Sequence, residues 1–576
     1  MASVYLPEVH SVILGVALFA SAAFSAGSDS SYVVDSVEVV RHNALEGSRS
    51  LVSADSSLYR WLQDNLHWMS TDAAIRGLLI TAPGDSADAL RISETARLLR
   101  TQRFLADASV TERQDSTGKH ILRAETWDQW SLSLPLSISR SGGKVSWIVG
   151  VSEANLLGSG QQVGGYYSST PIRTSWLLNY ASNNFAMTSG RLAFAAANNS
   201  DGFSGSFEIG KPLRSRYDAW GVMISGARSS YTRIVDVPSD LRDQLQVQDP
   251  TGWPKGEAQW FLQPHSLREN LRLTLTVGGG QDVRILGSLI GEWYQDTVGR
   301  TSYQPAGGLA PSLLRRMQGD AALRDWADPR PSRKDMRFGG SLQVKNVRYW
   351  SAHNFQNLKW TEDVPLGWML ESTYLINQQS DGDRKSAAWL KQAGSWSLLP
   401  YRDWYLAAGG AAEWFAGGET GPDQGAGTGK VEVRWFPRKN WQTLAAGSMD
   451  AAFFQKEAWA QYTLGEDNGL PGYSASELVG KSRMLLTVEE RWTPPLEAFT
   501  VVPALAVFAG TGQISSTPVP WEGQGWKSGF GFGLRIGMSR SIDGVVNHLS
   551  VARPWGGASA FSLDPWVVSF GSRQSL

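Results

Sequence analysis

Residues Gly469–Arg491 read GLPGYSASELVGKSRMLLTVEER, and the fold turns on how they are read. Gly469, Leu470, Pro471, Gly472 and Tyr473 form a glycine-rich reversal, where glycine takes backbone angles that other residues resist. A strand follows and ends in Glu489, Glu490 and Arg491. Glu489 and Arg491 are two apart, so they share one face of that strand. No nucleophile or acid–base constellation accompanies them.

The same two-residue period governs most of the chain. Trp130, Leu132, Leu134, Leu136 and Ile138 alternate with Ser131, Ser133, Pro135 and Ser137. Leu271, Leu273, Leu275 and Val277 alternate with Arg272, Thr274 and Thr276. Phe530, Phe532, Leu534, Ile536 and Met538 alternate with Gly531, Gly533, Arg535 and Gly537. One face is apolar and the other small or polar. A soluble sandwich turns the apolar face inward, whereas a membrane barrel turns it to lipid and lines its lumen with the polar face. Periodicity alone does not separate the two.

Composition adds weight to the barrel. The chain has 576 residues, 26 Trp, 60 Gly and 19% charged residues. Trp and Tyr form girdles at both membrane interfaces, although a Trp-rich soluble β protein shares the bias. Lys+Arg (53) nearly balance Asp+Glu (54), which argues against bulk nucleic-acid binding. Cysteine is absent, so disulfides and thiolate metal sites are excluded. The apolar run from Val12 (VILGVALFASAAF) is too short to span a bilayer but suits a secretory signal within residues 1–26. Residues 131–576 then suit one large barrel of 14–18 strands. Asp236–Glu257, Tyr303–Asp335 and Gly417–Lys430 read as long outer loops, with room for a short helix in Leu309–Leu323.

Residues 31–128 are different. Val33–Val40 reads as a strand, and Leu58–Trp68 as a helix. A second helix starts after Thr71–Asp72, and a third covers Ala89–Phe104. Strands Ala108–Arg113 and His120–Thr126 close a small α+β module. Arg91, Arg97 and Arg100 lie off the apolar stripe of the third helix, as a solvated face does.

Several segments carry a family resemblance. Ala73–Gly84 with Ala89–Val110 resembles a POTRA domain, the periplasmic module of the Omp85 superfamily. Ser141–Gly160 (SGGKVSWIVGVSEANLLGSG) resembles the first barrel hairpin, with Glu153, Asn155, Leu156, Gly158 and Gly160 at the expected spacing. Glu362–Gly367 (EDVPLG) recurs in one branch of that superfamily. Gly533–Ile536 and Val545–Pro554 look like its closing strands. The resemblance covers Val33 to the C-terminus and implies a BamA/TamA-type transmembrane barrel of sixteen strands at 129–576, behind one POTRA-like domain at 31–128. It also implies an inward loop at Gly469–Tyr473. In the superfamily that loop carries an Arg-Gly-aromatic tip whose Arg pairs with acidic wall groups. Here Pro471 stands at the Arg position, which leaves Glu489 to meet Arg491, Arg483 or water. The final Leu576 departs from the usual terminal aromatic.

The implied activity is insertion or translocation of a polypeptide client at the outer membrane of a diderm bacterium. It works by β-augmentation at the POTRA domain and a lateral seam between first and last strands. The implied partners are the lipid bilayer, the client or a lipid, and periplasmic accessory proteins. No nucleic acid, cofactor or enzymatic step is expected. The alternatives are a passive channel, a lipid-related role or a dedicated secretion barrel, with a soluble secreted β adhesin as a third class.

Enzyme-like motifs fail on spacing. Gly425–Lys430 (GAGTGK) has Gln424 where a phosphate loop wants Gly, and Val431 where it wants Ser or Thr. Gly202–Gly205 is no nucleophile elbow. The seven histidines lack zinc spacing, so no metal site is expected.

Overall fold

A computed structural model gives the architecture. It describes residues 31–573 except 45–60, 62–64, 237–259, 306–332, 380–385, 417–423, 454–460, 540–545, 556–565 and a few single or paired turn residues. The expected signal segment and most of the Leu58–Trp68 helix lie outside the described residues.

The N-terminal module contains β1 (Tyr32–Val33), β2 (Ser36–His42), α1 (Asp72–Arg76), β3 (Ser86–Ala87), α2 (Ala89–Arg100), β4 (Leu105–Gln114) and β5 (His120–Asp128). Thr71 caps α1 and Asp88 caps α2, each accepting a backbone N–H with its side chain. Strands order β2-β5-β4, with β2 parallel to β5. Ile75, Leu99, Phe104, Leu122 and Ala124 fill the core between helices and sheet.

The remaining strands are β6 (Leu132–Ser133), β7 (Leu136–Ser141), β8 (Lys144–Glu153), β9 (Gln162–Ser169), β10 (Thr174–Phe185), β11 (Gly190–Asn199), β12 (Gly202–Lys211), β13 (Trp220–Thr232), β14 (Val235–Asp236), β15 (Trp260–Gly279) and β16 (Arg284–Pro305). They continue as β17 (Arg333–His353), β18 (Thr361–Gln379), β19 (Ser386–Tyr401), β20 (Trp404–Ala416), β21 (Gln424–Arg438), β22 (Trp441–Phe453), β23 (Tyr462–Leu464), β24 (Leu478–Gly480), β25 (Ser482–Trp492), β26 (Val501–Ser515), β27 (Lys527–Met538), β28 (Val546–Trp555) and β29 (Val567–Arg573). All but β23 and β24 close into one antiparallel barrel. β6 and β7 both pair with β8 around Pro135, and β13 and β14 both pair with β15, so each couple is one interrupted strand. The described ring therefore has twenty strands.

Twenty corrects both the sixteen implied by the resemblance and the 14–18 suggested by length. Length and resemblance supplied those counts, and this chain packs extra strands with very short reversals, such as Ser200–Asp201 between β11 and β12 and Arg402–Asp403 between β19 and β20. Strands also run into the expected loops: β16 reaches Pro305, β17 starts at Arg333 and β21 starts at Gln424. Gly425–Lys430 is thus extended strand and not a flexible loop. The middles of the expected outer loops, with Leu309–Leu323, lie outside the described residues.

No described helix is long and apolar enough to cross a membrane. The barrel crosses with strands. Leu271, Leu273, Leu275 and Val277 are each more than 40% exposed on the outside, as are Leu505 and Val507. Such rows in water would form a large sticky patch, whereas in hydrocarbon they are the expected surface. Trp404 and Trp414 are both exposed on one face of β20, at its two ends. At ~3.3 Å per residue and ~40° tilt, their ten-residue separation is ~25 Å of height. That matches the ~25 Å apolar band of outer-membrane barrels. Trp404 stacks on Trp435 at 5.6 Å, Trp441 lies 6.2 Å from Trp492, and Tyr167 lies 4.6 Å from Trp176. These rings form the two interfacial girdles.

A charge on the lipid face should therefore cost far more than one in the lumen. Val507→Arg is expected to destabilise the folded barrel by about 2–4 kcal/mol. Thr428→Arg, on the exposed lumen side of β21, should stay within about 0.5 kcal/mol. Urea unfolding from lipid vesicles measures both, and equal costs would refute the assignment of faces.

Candidate functional site

The loop between β22 and β25 folds into the barrel. β23 pairs with β24, and Gly469 (φ +97°) and Gly472 (φ +80°) make the reversal between them. Leu464, Leu470 and Tyr473 bury against Leu485 and Ile514 of the wall. Pro471 rests where the wall has no side chains. A Cβ on Gly510 would lie 2.7 Å from its ring, and one on Gly529 would lie 1.9 Å from its carbonyl oxygen. A Cβ on Gly472 would meet the Arg553 backbone at 2.3 Å. Polar ties complete the seat. Ser569 Oγ donates to Glu466 at 2.6 Å, and Tyr473 Oη donates to the Ser528 carbonyl at 3.3 Å. Arg483 bridges Asp450 (2.7 Å) and the Thr463 carbonyl (2.8 Å). The loop thus spans from β22–β25 to β27, β28 and β29.

Glu489 and Arg491 come together as the strand spacing requires. Arg491 donates to Glu489 Oε1 at 2.9 and 2.5 Å, and Arg535 Nη2 donates to Glu489 Oε2 at 2.8 Å. All three are at most 3% exposed. Arg535 also donates to Ser550 Oγ at 3.0 Å and covers the Phe508 ring at 5.2 Å. The loop's described ties go elsewhere. The arginine that the resemblance places on the loop is supplied by the wall, from β27. In the sequence Arg535 stands only in the alternation of Phe530–Met538, and its pairing with Glu489 joins strands two apart in the ring.

The seam is thin. Among the described residues, β29 meets β7 through one ladder position, Phe570 opposite Arg140. On the far wall, β15 pairs with β16 along nearly their whole length.

The first-hairpin motif forms a socket for the N-terminal module. Asn155 takes Glu153 Oε1 with its backbone N–H at 2.7 Å and gives its side-chain amide to the Trp68 carbonyl (2.9 Å) and Ser70 Oγ (3.1 Å). Its Oδ1 accepts the Gly160 N–H at 2.8 Å, and the Gly158 carbonyl accepts the Thr71 N–H at 2.8 Å. A Cβ on Gly158 would sit 2.4 Å from the Met69 carbonyl oxygen, and one on Gly160 would sit 2.7 Å from the Phe104 ring.

Helix α2 docks on the rim of the barrel, which corrects the solvated-face expectation for its arginines. Arg100 forks onto Asp363 at 2.8 and 3.0 Å. Arg91 and Arg97 lie over the Tyr217 and Tyr349 rings at 4.6 and 4.5 Å. Glu94 takes Arg97 at 2.8 Å and the Arg216 N–H at 3.1 Å. Burial raises the pKa of Glu94, but the bonds and charge of Arg97 and then Arg216 outweigh it and hold the carboxyl below its ordinary value. Burial, then Asp88, pushes the Tyr217 phenol up to about 12.

No family model matches this chain, and no curated protein matches it. Similar solved structures include BamA from Haemophilus ducreyi lacking POTRA domains 1–3, at 10% identity and TM-score 0.34, covering 94% of this chain and 85% of that one. CdiB from Acinetobacter baumannii gives 12% identity and TM-score 0.37, covering 94% and 73%. CdiB from Escherichia coli gives 10% and 0.37, covering 96% and 92%. Likenesses at this level assign neither client nor mechanism.

Two outcomes follow. Glu489→Ala leaves two guanidinium groups buried without their anion and should cost about 3–5 kcal/mol. Leu505→Ala, on the lipid face of β26, should cost clearly less in the same urea titration, and equal losses would count against the cluster. Because the folded pKa of Glu94 is depressed, its contribution is complete above about pH 4.3 and lost as pH falls through the depressed value. Spin labels on Ser116 and Lys439 should hold one distance from pH 8 to 5 and broaden only in stronger acid, less so in Glu94→Gln. Broadening between pH 7 and 5 would contradict this.

Proposed function

We propose that this chain is an Omp85-type outer-membrane barrel that handles polypeptide, inserting it into or moving it across the membrane without enzymatic chemistry. The seam carries the reading. A barrel in lipid pairs every backbone group because an unmade hydrogen bond there is costly, yet among the described residues β29 and β7 share one ladder position. An edge that parts so readily offers a template for an incoming strand. The α+β module, with its β2-β5-β4 sheet, stands at the mouth as a POTRA-like receiver, and its membrane is the outer membrane of a diderm bacterium.

The second reading is a passive channel, favoured by Pro471 at the tip of the loop. The wall answers that objection in part, since Arg535 fills the role of the missing guanidinium toward Glu489.

Reconstitution in liposomes tests the proposal. The full chain should accelerate the folding of an unfolded outer-membrane barrel protein over empty liposomes, and deletion of residues 31–125 should abolish the gain. Pro471→Arg should not improve it, because a third guanidinium would enter a site packed by Gly510 and Gly529. No acceleration by either protein, with a stable open conductance in planar bilayers, would establish the channel.

A further inference from the structure

We propose that the end of the β17–β18 hairpin, in its described residues 346–358 and 361–367, is a hinged lid that shuts the lumen at the end where the N-terminal module docks. The proposal rests on the barrel reading and adds a gate to it. The hinge is Gly367, with φ +123°. A Cβ there would lie 1.9 Å from the Asn346 carbonyl oxygen, so a side chain cannot be accommodated. Beyond the hinge the two faces of the hairpin part company. Val364 and Ala352 bury against Tyr405, with Leu366 packed beside them, and so close onto the lumen side of the wall. Tyr349 and Asp363 face the module and receive Arg97 and Arg100. The hairpin end is therefore a layer between lumen and module.

Its tip is a built structure. The Glu362 carboxylate accepts the backbone N–H groups of Phe355 (2.9 Å), Gln356 (2.8 Å) and Asn357 (3.3 Å), holding the turn in shape. The Phe355 carbonyl accepts from Arg434 Nη1 and from Gln442 Nε2, the latter at 3.0 Å. The Phe355 ring lies 4.2 Å beneath the Arg434 guanidinium and 4.9 Å from Tyr405. Arg434 is fully buried. Leu358 reaches further, into a seat of Val502, Ala504 and Val546, where a Cβ on Gly537 would lie 3.0 Å from its own Cβ.

These contacts are not those of a local turn. The hairpin leaves the ring between β16 and β19, yet its tip is held by β21, β22 and then β26, β27 and β28. It lies as a chord across the opening, and Glu362–Gly367, the segment noted in the sequence, is its hinge and its tip's anchor. Ions or polypeptide cross the lumen only when Phe355 and Leu358 leave their seats. The Arg100–Asp363 fork ties that release to the module.

The chain has no cysteine, so an introduced pair reacts only with itself. Leu358→Cys with Gly537→Cys places the two Cβ atoms slightly inside the ~3.5–4.5 Å of a disulfide, within reach of a small shift. In planar bilayers, the full-length Phe355→Ala/Leu358→Ala variant should pass at least severalfold more current than the unaltered chain. The oxidised cysteine pair should stay closed under voltages that open the unaltered chain, and reduction should restore opening. Heat-modifiable migration on gels reports a folded barrel for each variant. Folded variants whose currents match the unaltered chain, oxidised or reduced, would overturn the lid. Failure of the unaltered chain itself to form a heat-modifiable, membrane-inserted barrel would instead overturn the barrel reading on which the lid rests.

Discussion

Backbone hydrogen bonding in a medium that offers no water is the constraint on which this structure depends. Every strand must have two neighbours, so the sheet must close. Closure forces a junction between the first and last strands, which fold at opposite ends of the chain. Here that junction is short on both sides. β7 and β29 span only Leu136–Ser141 and Val567–Arg573, whereas β15 to β18 each run through about twenty residues. The inward loop compensates from inside. Its Glu466 holds Ser569 of β29, and its reversal packs on β27 and β28. The loop thus braces the strands that the seam leaves least supported.

Charge follows the same logic. A lumen-facing carboxylate buried at 1% exposure needs cations close by. Glu489 finds one two residues along its own strand and one on β27. This pairing staples β25 to β27 across β26, independent of the loop. Pro471 can then be a packing residue. Its ring and carbonyl occupy space that Gly510 and Gly529 leave open, and those two glycines would be unexplained on the lumen face without it.

The architecture was legible because a period of two survives any context. The alternations at Leu271–Val277 and Phe530–Met538 stand in the structure with the apolar side outward. Tryptophan at strand ends marked the girdles. A local signal also held in the module, where Thr71 caps α1. The strand count failed because it came from length and resemblance, and two-residue reversals leave little trace in a periodicity. The docking of Arg97 and Arg100 was hidden for another reason. Tyr349 and Asp363 lie some 250 residues away in sequence, and only the closed ring brings that rim under α2. The Glu489–Arg491 pair was visible because strand geometry fixes it locally, while Arg535 was not because it arrives through a second strand.

The lumen is occupied from both ends by the chain itself. From one end, the loop of β23 and β24 fills the space beside β25 to β28. From the other, Phe355 and Leu358 cross the mouth, with α2 of the module behind them. Each plug is built from satisfied hydrogen bonds and buried side chains, so a polypeptide passing axially would have to displace both, although loosening the lid alone lets ions through. Among the described residues, the seam is held by one ladder position and the braces around it. On the proposed reading, a polypeptide entering at the module would meet less resistance sideways, where each bond it breaks can be replaced by one of its own backbone groups, than axially, where it would have to displace packed aromatic and charged side chains with nothing of matching shape. That asymmetry in what can be exchanged, more than any single residue, is why a lateral polypeptide route fits this barrel better than an open pore.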